Sequence, residues 1–132
     1  MPELTAMPAH VLASLIRTRA VSSAEVVEAY LRRIESVNRA INAVVQLAAG
    51  PALTRAREAD EALARGEIWG PLHGVPFTAK DVIETAGIVS AAGLEERQDF
   101  VPQLDAVVVA RMKAAGAIQT ARGSAALIIS PE

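Results

Sequence analysis

Lys80 is the residue whose type and position best suit chemistry in this sequence. It ends the apolar run Val75–Ala79 within GPLHGVPFTAKD (residues 70–81), and Asp81 follows it. The chain has one other lysine, Lys113, and otherwise uses arginine for its positive charges. Desolvation can lower the pKa of a lysine until it gives up a proton, whereas a guanidinium stays charged. Lys80 is therefore either a general base or an edge residue that buries its stem and keeps its ammonium in water.

The other candidate side chains are better explained by structure. Ser22 and Ser23 stand where a helix begins, and a glutamate three residues after Ser22 gives capping-box spacing, so neither is expected to be a nucleophile. His10 lies at the start of a surface helix and is expected to be solvated. His73 lies in a tight loop, where it could bond the backbone or act as a base, and no partner for base catalysis is identifiable. Acidic residues within 58–61 alternate with arginines, as on a solvated helix face.

Composition indicates a globular protein of one domain. Of the 132 residues 52% are hydrophobic but only 3% are aromatic, so the core must consist of Ala, Val, Leu and Ile. A net charge of −2 gives no electrostatic reason to bind nucleic acid or an anionic membrane. The chain has no cysteine, no signal-peptide pattern and no apolar run of the roughly 18–20 residues that span a bilayer, so we expect a soluble, cytoplasmic protein. Phosphate-binding glycine motifs and metal-ligand spacings are absent, so we expect no cofactor and no metal.

The hydrophobic pattern predicts two helices followed by strand–helix–strand–helix–strand, which is typical of helices packed on a mixed or parallel sheet. Gly66 and Gly116 are placed to end helices, and Asp105 to begin the last one. Pro76 restricts its strand to a strand start, an edge or a bulge. The expected helices are 8–19, 21–38, 52–65 and 106–115, and the expected strands are 41–47, 74–82 and 117–120, with a further short extended piece at 87–93.

The segment GPLHGVPFTAKDVIETAGIVSAAG (70–93) resembles the first motif block of the amidase signature family, which reads close to G-P-L-x-G-V-P-x-x-x-K-D and then T-A-G. The segments 21–45 and 105–117 resemble the family's N-terminal helix pair and the helix after the lysine. The resemblance runs in order and spacing from about residue 8 to 118. It implies a mixed α/β fold, the N-terminal part of the amidase signature fold. It also implies that Lys80 is the catalytic lysine of a Ser–cis-Ser–Lys triad that hydrolyses carboxamides.

The resemblance weakens after Ile118. The family continues with a strand and a G-K-T-N-like turn, whereas this chain reads QTARGSAALIISPE. We therefore expect a single partial domain of residues 1–132 with a divergent tail at 119–132. This tail should leave the family's strand–turn geometry or make contacts that the family does not have. The block that carries both serines and the oxyanion-hole amides lies beyond position 132 in such proteins, and RGSAAL (122–127) has too few glycines to replace it. The resemblance thus implies an N-terminal segment of an enzyme for small-molecule amides, inactive without its C-terminal portion.

Two other interpretations stay open. The chain could be a non-catalytic α/β interaction module derived from an amidase, or an unrelated α/β domain whose likeness is fortuitous. If the sheet evolved with neighbours on both sides, this segment without the remainder of the protein would leave strand edges uncovered. The helices at 24–37 and 105–115 would likewise expose apolar faces. We therefore expect a homo-oligomer, with Val108 and Met112 as candidate contacts. The resemblance assigns no substrate-binding residue, because the family's pockets are built largely from the rest of the protein.

Overall fold

The computed structural model describes residues 3–123, and the elements in this part follow the order expected from the sequence. The helices are α1 (Ala9–Arg17), α2 (Ser23–Ile41), α3 (Ala49–Ala64) and α4 (Val107–Ala114), and the strands are β1 (Val44–Leu47), β2 (Pro76–Lys80) and β3 (Ile118–Gly123). Short 3-10 turns lie at Leu4–Ala6 and Glu95–Arg97. In this part of the chain no helix is long and apolar enough to cross a membrane.

The strand β3 is the centre of the sheet, between β1 and β2. It pairs with β1 in antiparallel and with β2 in parallel orientation, so the sheet is mixed and the expected fold class is confirmed. The parallel register places Pro76 opposite Ile118 and Lys80 opposite Gly123. Among residues 3–123, β2 forms an edge of the sheet, and Pro76 is its first residue. This is where a strand tolerates a residue without an N–H group.

The expectation that residues 119–132 leave strand geometry is wrong for 119–123. These residues continue β3 through the middle of the sheet, and Gln119 to Arg122 are all buried. The expectation rested on the loss of motif resemblance at Gln119, but β1 and β2 supply backbone partners to this segment on both sides. Residues 124–132 lie outside the described residues, and the expectation for them stays a prediction.

The start of α2 is held by two sets of side-chain caps. Ser22 Oγ accepts the N–H of Glu25 at 3.0 Å, and Glu25 Oε2 accepts the N–H of Ser22 at 2.7 Å, which confirms the predicted capping box. Asp60 of α3 adds a second cap, since its carboxylate accepts the N–H groups of Ser23 at 2.6 Å and Ala24 at 3.0 Å. Asp60 therefore does not belong to a solvated face. Its negative charge is favoured by the positive end of the α2 dipole.

The core is built from small and branched aliphatic side chains, as the composition predicts. Alanines three and four residues apart give α3 a smooth buried face, which packs against Val27 of α2 and Ile118 of β3. The buried alanines are Ala52, Ala56, Ala59 and Ala62. A second cluster joins α1 to the start of α2 and to the residue before β2, and consists of Leu12, Ala13, Ile16, Val21, Val26 and Val75.

Several predicted boundaries differ from the structure. The helix α2 continues to Ile41, and Asn42 ends it in the left-handed conformation (φ 48°), so β1 begins only at Val44. Asn38 joins the two elements, because its side chain exchanges two hydrogen bonds with the backbone of Val44. The segment 87–93, expected as a short extended piece, forms no strand and has turns at both of its ends.

Asp105 does not cap the last helix. The helix α4 begins after Ala106, and the Asp105 carboxylate instead accepts the N–H of Ala86 at 2.9 Å and contacts Lys113 Nζ at 3.0 Å. These contacts hold the pKa of Asp105 below its usual value although burial opposes them. Asp105 therefore ties the loop after β2 to the end of α4.

The described residues cover only one side of the helix α4. Val109 is 1% exposed, whereas Val107 and Val108 are 68% and 54% exposed. The expected uncovered apolar face is thus confirmed for α4 within residues 3–123. The corresponding expectation for α2 is wrong at Val26 and Val27, which are fully buried in the two core clusters.

Candidate active site

Lys80 is the last residue of β2, and its side chain is exposed. It lies beside a groove of about 290 Å³ between β2 and α4 whose other lining residues are mostly apolar, among them Phe77, Ile83, Val108 and Met112. Within residues 3–123 its ammonium has neither a hydrogen-bond partner nor an ion-pair partner. A lysine serves as a base when its charged form is desolvated. At Lys80 that desolvation requires a molecule or a further part of the protein to cover the groove.

The backbone that carries Lys80 is held by Arg122 of β3. Arg122 Nη2 lies 3.3 Å from the carbonyl oxygen of Lys80 and 3.0 Å from that of Asp81. It also contacts the carbonyl of Ile83 and lies 3.1 Å from Ser90 Oγ. A single guanidinium thus joins the end of β2, the turn that follows it and the loop beyond. Its planar set of N–H donors suits several acceptors arranged around one point.

Arg122 and Asp81 form a buried ion pair. Arg122 Nε lies 3.4 Å from Asp81 Oδ1, and the two residues are 0% and 4% exposed. Burial lowers the pKa of the Arg122 guanidinium, while the Asp81 carboxylate acts in the opposite direction. An arginine starts from so high a pKa that it remains charged at neutral pH. Ser90 Oγ also donates to the carbonyl of Asp81 at 2.6 Å, so the turn after Lys80 is fixed from two sides.

His73 has a structural role, in agreement with the hydrogen-bonding interpretation of its loop. It is 3% exposed, and its Nδ1 accepts the N–H of Trp69 at 2.9 Å. Its Nε2 lies 2.9 Å from the carbonyl oxygen of Ala59, and this contact requires Nε2 to carry the hydrogen. Because both ring nitrogens are occupied, His73 has no free lone pair with which to accept a proton.

The two serines are structural as well. Ser22 caps α2, and the fully buried Ser23 donates its hydroxyl to the carbonyl of Gly74 at 2.7 Å. Both are bonded to elements other than the end of β2, and His10 is exposed on α1. Lys80 is thus not brought together with either serine or with a histidine. Nor do the described residues group three or more His, Asp or Glu side chains in a way that could hold a metal.

The partnership of Arg122 with Asp81 was not predicted from the sequence. One signal was present, since Asp81 directly follows a strand that ends in a lysine, and a carboxylate buried at that point needs a cation. No local sequence pattern identified Arg122 as that cation, because the segment that contains it was expected to diverge from strand geometry. The pairing spans 41 positions in the sequence and follows only from the parallel register of β2 and β3.

A family model described as Amidase matches residues 25–126. The match continues past Ile118, where the motif resemblance weakens in the sequence alone. With the mixed sheet and the lysine at the end of β2, this establishes the class of protein. The chain belongs to the amidase signature family.

Named relatives agree with this assignment. The protein named as the amidase AmiD of Mycobacterium tuberculosis is 47% identical to this chain over 107 residues. The match covers 81% of this chain and 22% of AmiD. A glutamyl-tRNA(Gln) amidotransferase subunit of Moorella thermoacetica is 41% identical over 116 residues, 88% of this chain and 24% of that protein. The solved structure of a peptide amidase from Stenotrophomonas maltophilia superposes with a TM-score of 0.83 at 32% identity, over 89% of this chain and 24% of the amidase. The chain therefore spans about a quarter of the length of these proteins.

Proposed function

We propose that this chain supplies the lysine of an amide-hydrolysing active site that protein outside residues 1–132 completes. The observation that carries the proposal is the position of Lys80. It is exposed at the end of an edge strand, beside an open groove, on a backbone fixed by Arg122, and it matches the catalytic lysine of the family motif. The family match and the amidase relatives support the reaction class.

In the proposed mechanism Lys80 acts as a neutral amine. It takes a proton from a bridging serine, which in turn takes the proton of the nucleophilic serine. The nucleophile attacks the carbonyl carbon of a carboxamide, backbone N–H groups stabilise the oxyanion, and the amine leaves with a proton. Water then releases the acid from the acyl-enzyme. Lys80 is the part of this machinery that we assign to the present chain.

The same proposal makes the isolated chain inactive on small-molecule amides. Catalytic groups of such a site act as a unit, so a base without a nucleophile and an oxyanion hole gives little rate enhancement. The cytoplasmic location expected from the cysteine-free sequence stays a prediction.

A chimera tests the proposal. Residues 1–123 of this chain replace the matching segment of the Stenotrophomonas peptide amidase, and hydrolysis of that enzyme's own amide substrate is measured. We expect the chimera to be active and Lys80→Arg to lower kcat by at least about 100-fold, because general-base catalysis contributes about that much or more. Lys113→Arg is the matched control, since Lys113 is the other lysine of the chain and its ammonium pairs with Asp105 on the surface.

The competing interpretation is a non-catalytic interaction module, which the exposed valines of α4 favour. A chimera that folds and binds substrate but whose activity is the same with Lys80 or Arg at this position contradicts the catalytic proposal and supports the module. Amide hydrolysis by the isolated 132-residue chain that is lost in Lys80→Ala contradicts the proposal that other protein must complete the site.

A further inference from the structure

A cavity of about 440 Å³, which shares no lining residue with the Lys80 groove, lies beside the first turn of α3. It is bounded by that turn, the loop 85–88, the end of α4 and the start of β3. Its apolar wall consists of Pro51, Ala52, Trp69, Ile88, Ala117 and Ile118. Both its size and its mostly apolar lining are typical of sites for small organic molecules.

Gln119 gives this cavity an unused polar group. The residue is 8% exposed and lines the cavity, and its Oε1 accepts the hydroxyl of Thr85 at 3.1 Å. Its Nε2 is buried without any hydrogen-bond partner in residues 3–123. A buried amide donor without an acceptor is unfavourable, and few native groups are left so. An acceptor oxygen on a bound molecule would satisfy it.

The other polar groups around the cavity also favour an acceptor, and a negatively charged one. The 16-residue helix α3 begins here without a side-chain cap, so the positive end of its dipole has no side-chain partner. Two N–H groups of its first turn, those of Ala49 and Gly50, are left for an acceptor, because Ala48 donates to Thr120 and Pro51 has no N–H. Arg55 lies over the ring of Trp69 at 3.7 Å, and Lys113 reaches the rim. Glu58 and Asp105 pair with these two cations on the surface, but each cation keeps further N–H donors.

We propose that the cavity binds a small monocarboxylate with an apolar body. The carboxylate receives a hydrogen bond from Gln119 Nε2 and lies near the start of α3, while the body packs on the ring of Trp69. The site is separate from the proposed catalytic site. Gln119 pairs with Phe77 and Gly123 with Lys80, so the two positions are four residues apart on β3 and three on β2, because the register shifts between Phe77 and Thr78, or about 10–13 Å. The proposal therefore does not depend on amidase activity.

Trp69 is the single tryptophan of the chain and lines the cavity, so its fluorescence and its indole N–H resonance report on binding. The experiment titrates the 132-residue chain with benzoate, and with benzyl alcohol as a neutral ligand of similar shape. We expect saturable changes at Trp69 with benzoate, and at least about tenfold weaker binding of benzyl alcohol, because a hydrogen bond to a charged group is stronger than one to a neutral group.

Two variants locate the carboxylate. Gln119→Glu places a negative charge where the ligand's charge is expected, and should weaken benzoate by at least about tenfold, since like charges in a partly buried site repel strongly. Gln98→Glu is the matched control, because Gln98 is exposed and lies outside the cavity lining, and it should bind benzoate as the parent does. Arg55→Met, at the exposed rim, provides a second test if Gln119→Glu does not fold, and it should also weaken benzoate.

If neither the fluorescence nor the indole N–H resonance of Trp69 shows a saturable change up to about 20 mM benzoate, the proposal is overturned, because even a very weak site would be occupied at this concentration. Equal affinity for benzoate and benzyl alcohol overturns the carboxylate preference. Benzoate affinity that is unchanged in Gln119→Glu, or in Arg55→Met when that variant is the one tested, overturns the assigned binding mode. Loss of benzoate binding in Gln119→Glu but not in Gln98→Glu, with both variants folded, supports it.

Discussion

Replacing Arg122 by methionine should destabilise the chain strongly, because it removes one member of a buried ion pair. The guanidinium is 0% exposed and contacts the Asp81 carboxylate and the backbone from the end of β2 to the turn after it. Methionine has similar length and fills the space, so the change mainly removes the charge and its donors. Asp81, which is 4% exposed, is then left as a buried carboxylate without a cation.

The expected magnitude follows from that uncompensated charge. Removing one member of a buried ion pair costs about 3–5 kcal/mol. The carbonyls of Lys80 and Asp81 lose a donor as well, but each keeps another, the N–H of Ile83 and the hydroxyl of Ser90, so we expect a total of about 4 kcal/mol. A domain of this size has a free energy of unfolding of about 5–15 kcal/mol, so the change removes a large fraction of it. Asp81→Asn in the same chain removes the stranded charge and should restore about 2 kcal/mol.

Equilibrium unfolding in urea measures these differences. The parent, Arg122→Met, Asp81→Asn and the double variant form a thermodynamic cycle whose coupling term isolates the pair. Arg57→Met is the control, because Arg57 is exposed on α3 and should tolerate the change within about 0.5 kcal/mol. A loss below about 1 kcal/mol in Arg122→Met, or a coupling term near zero, would refute the conclusion that this pair organises the end of β2.

Three further results are expected. Gly74→Ala should destabilise the chain by about 2 kcal/mol or more in urea unfolding, since φ is 76° and a Cβ would meet the Ser23 side chain at 2.8 Å. Hydrogen bonds from the Ser22 N–H and hydroxyl lower the pKa of Glu25, so the charged cap stabilises the folded chain above pH about 4.3, the pKa of an unfolded glutamate, and this stabilisation is lost as the pH falls. When the free energy of unfolding is measured between neutral pH and pH about 3, Glu25→Gln should therefore lose less stability on acidification than the parent does. The exposed face of α4 predicts self-association, so sedimentation at tens of micromolar should show a homo-oligomer that Val108→Asp weakens, and a monomer in both would contradict it.

Local signals in the sequence predicted the four helices and the three strands, although not all of their boundaries. The Ser22–Glu25 spacing fixed the start of α2, and Pro76 correctly restricted β2 to a strand start or an edge. These features depend on residues within a few positions of each other, which a sequence displays directly. The family motif then assigned Lys80 its role as an expectation.

Features that depend on distant contacts could not be predicted in this way. Asp60 was predicted to lie on a solvated face because its partners, Ser23 and Ala24, are 37 and 36 positions away. Arg122 was assigned to a tail because the motif resemblance is lost at Gln119. Its place in a buried central strand is explained by Asp81, which lies beside it and is 41 positions away in the sequence. The register of β3 determines both its burial and its partner, and no local pattern encodes that register.

The order of the strands also bears on how the chain acquires its structure during synthesis. The strand β3 is made last of the three, yet it is the one with which β1 and β2 both pair. In a nascent chain that has reached only Ala117, β1 and β2 have no strand partner, so their backbone groups are left open. Unpaired strands of this kind are prone to intermolecular pairing until a late partner arrives. The six residues Ile118–Gly123 therefore complete the sheet. They must be synthesised before Arg122 can contact the carbonyl of Lys80 and hold the end of β2 in place.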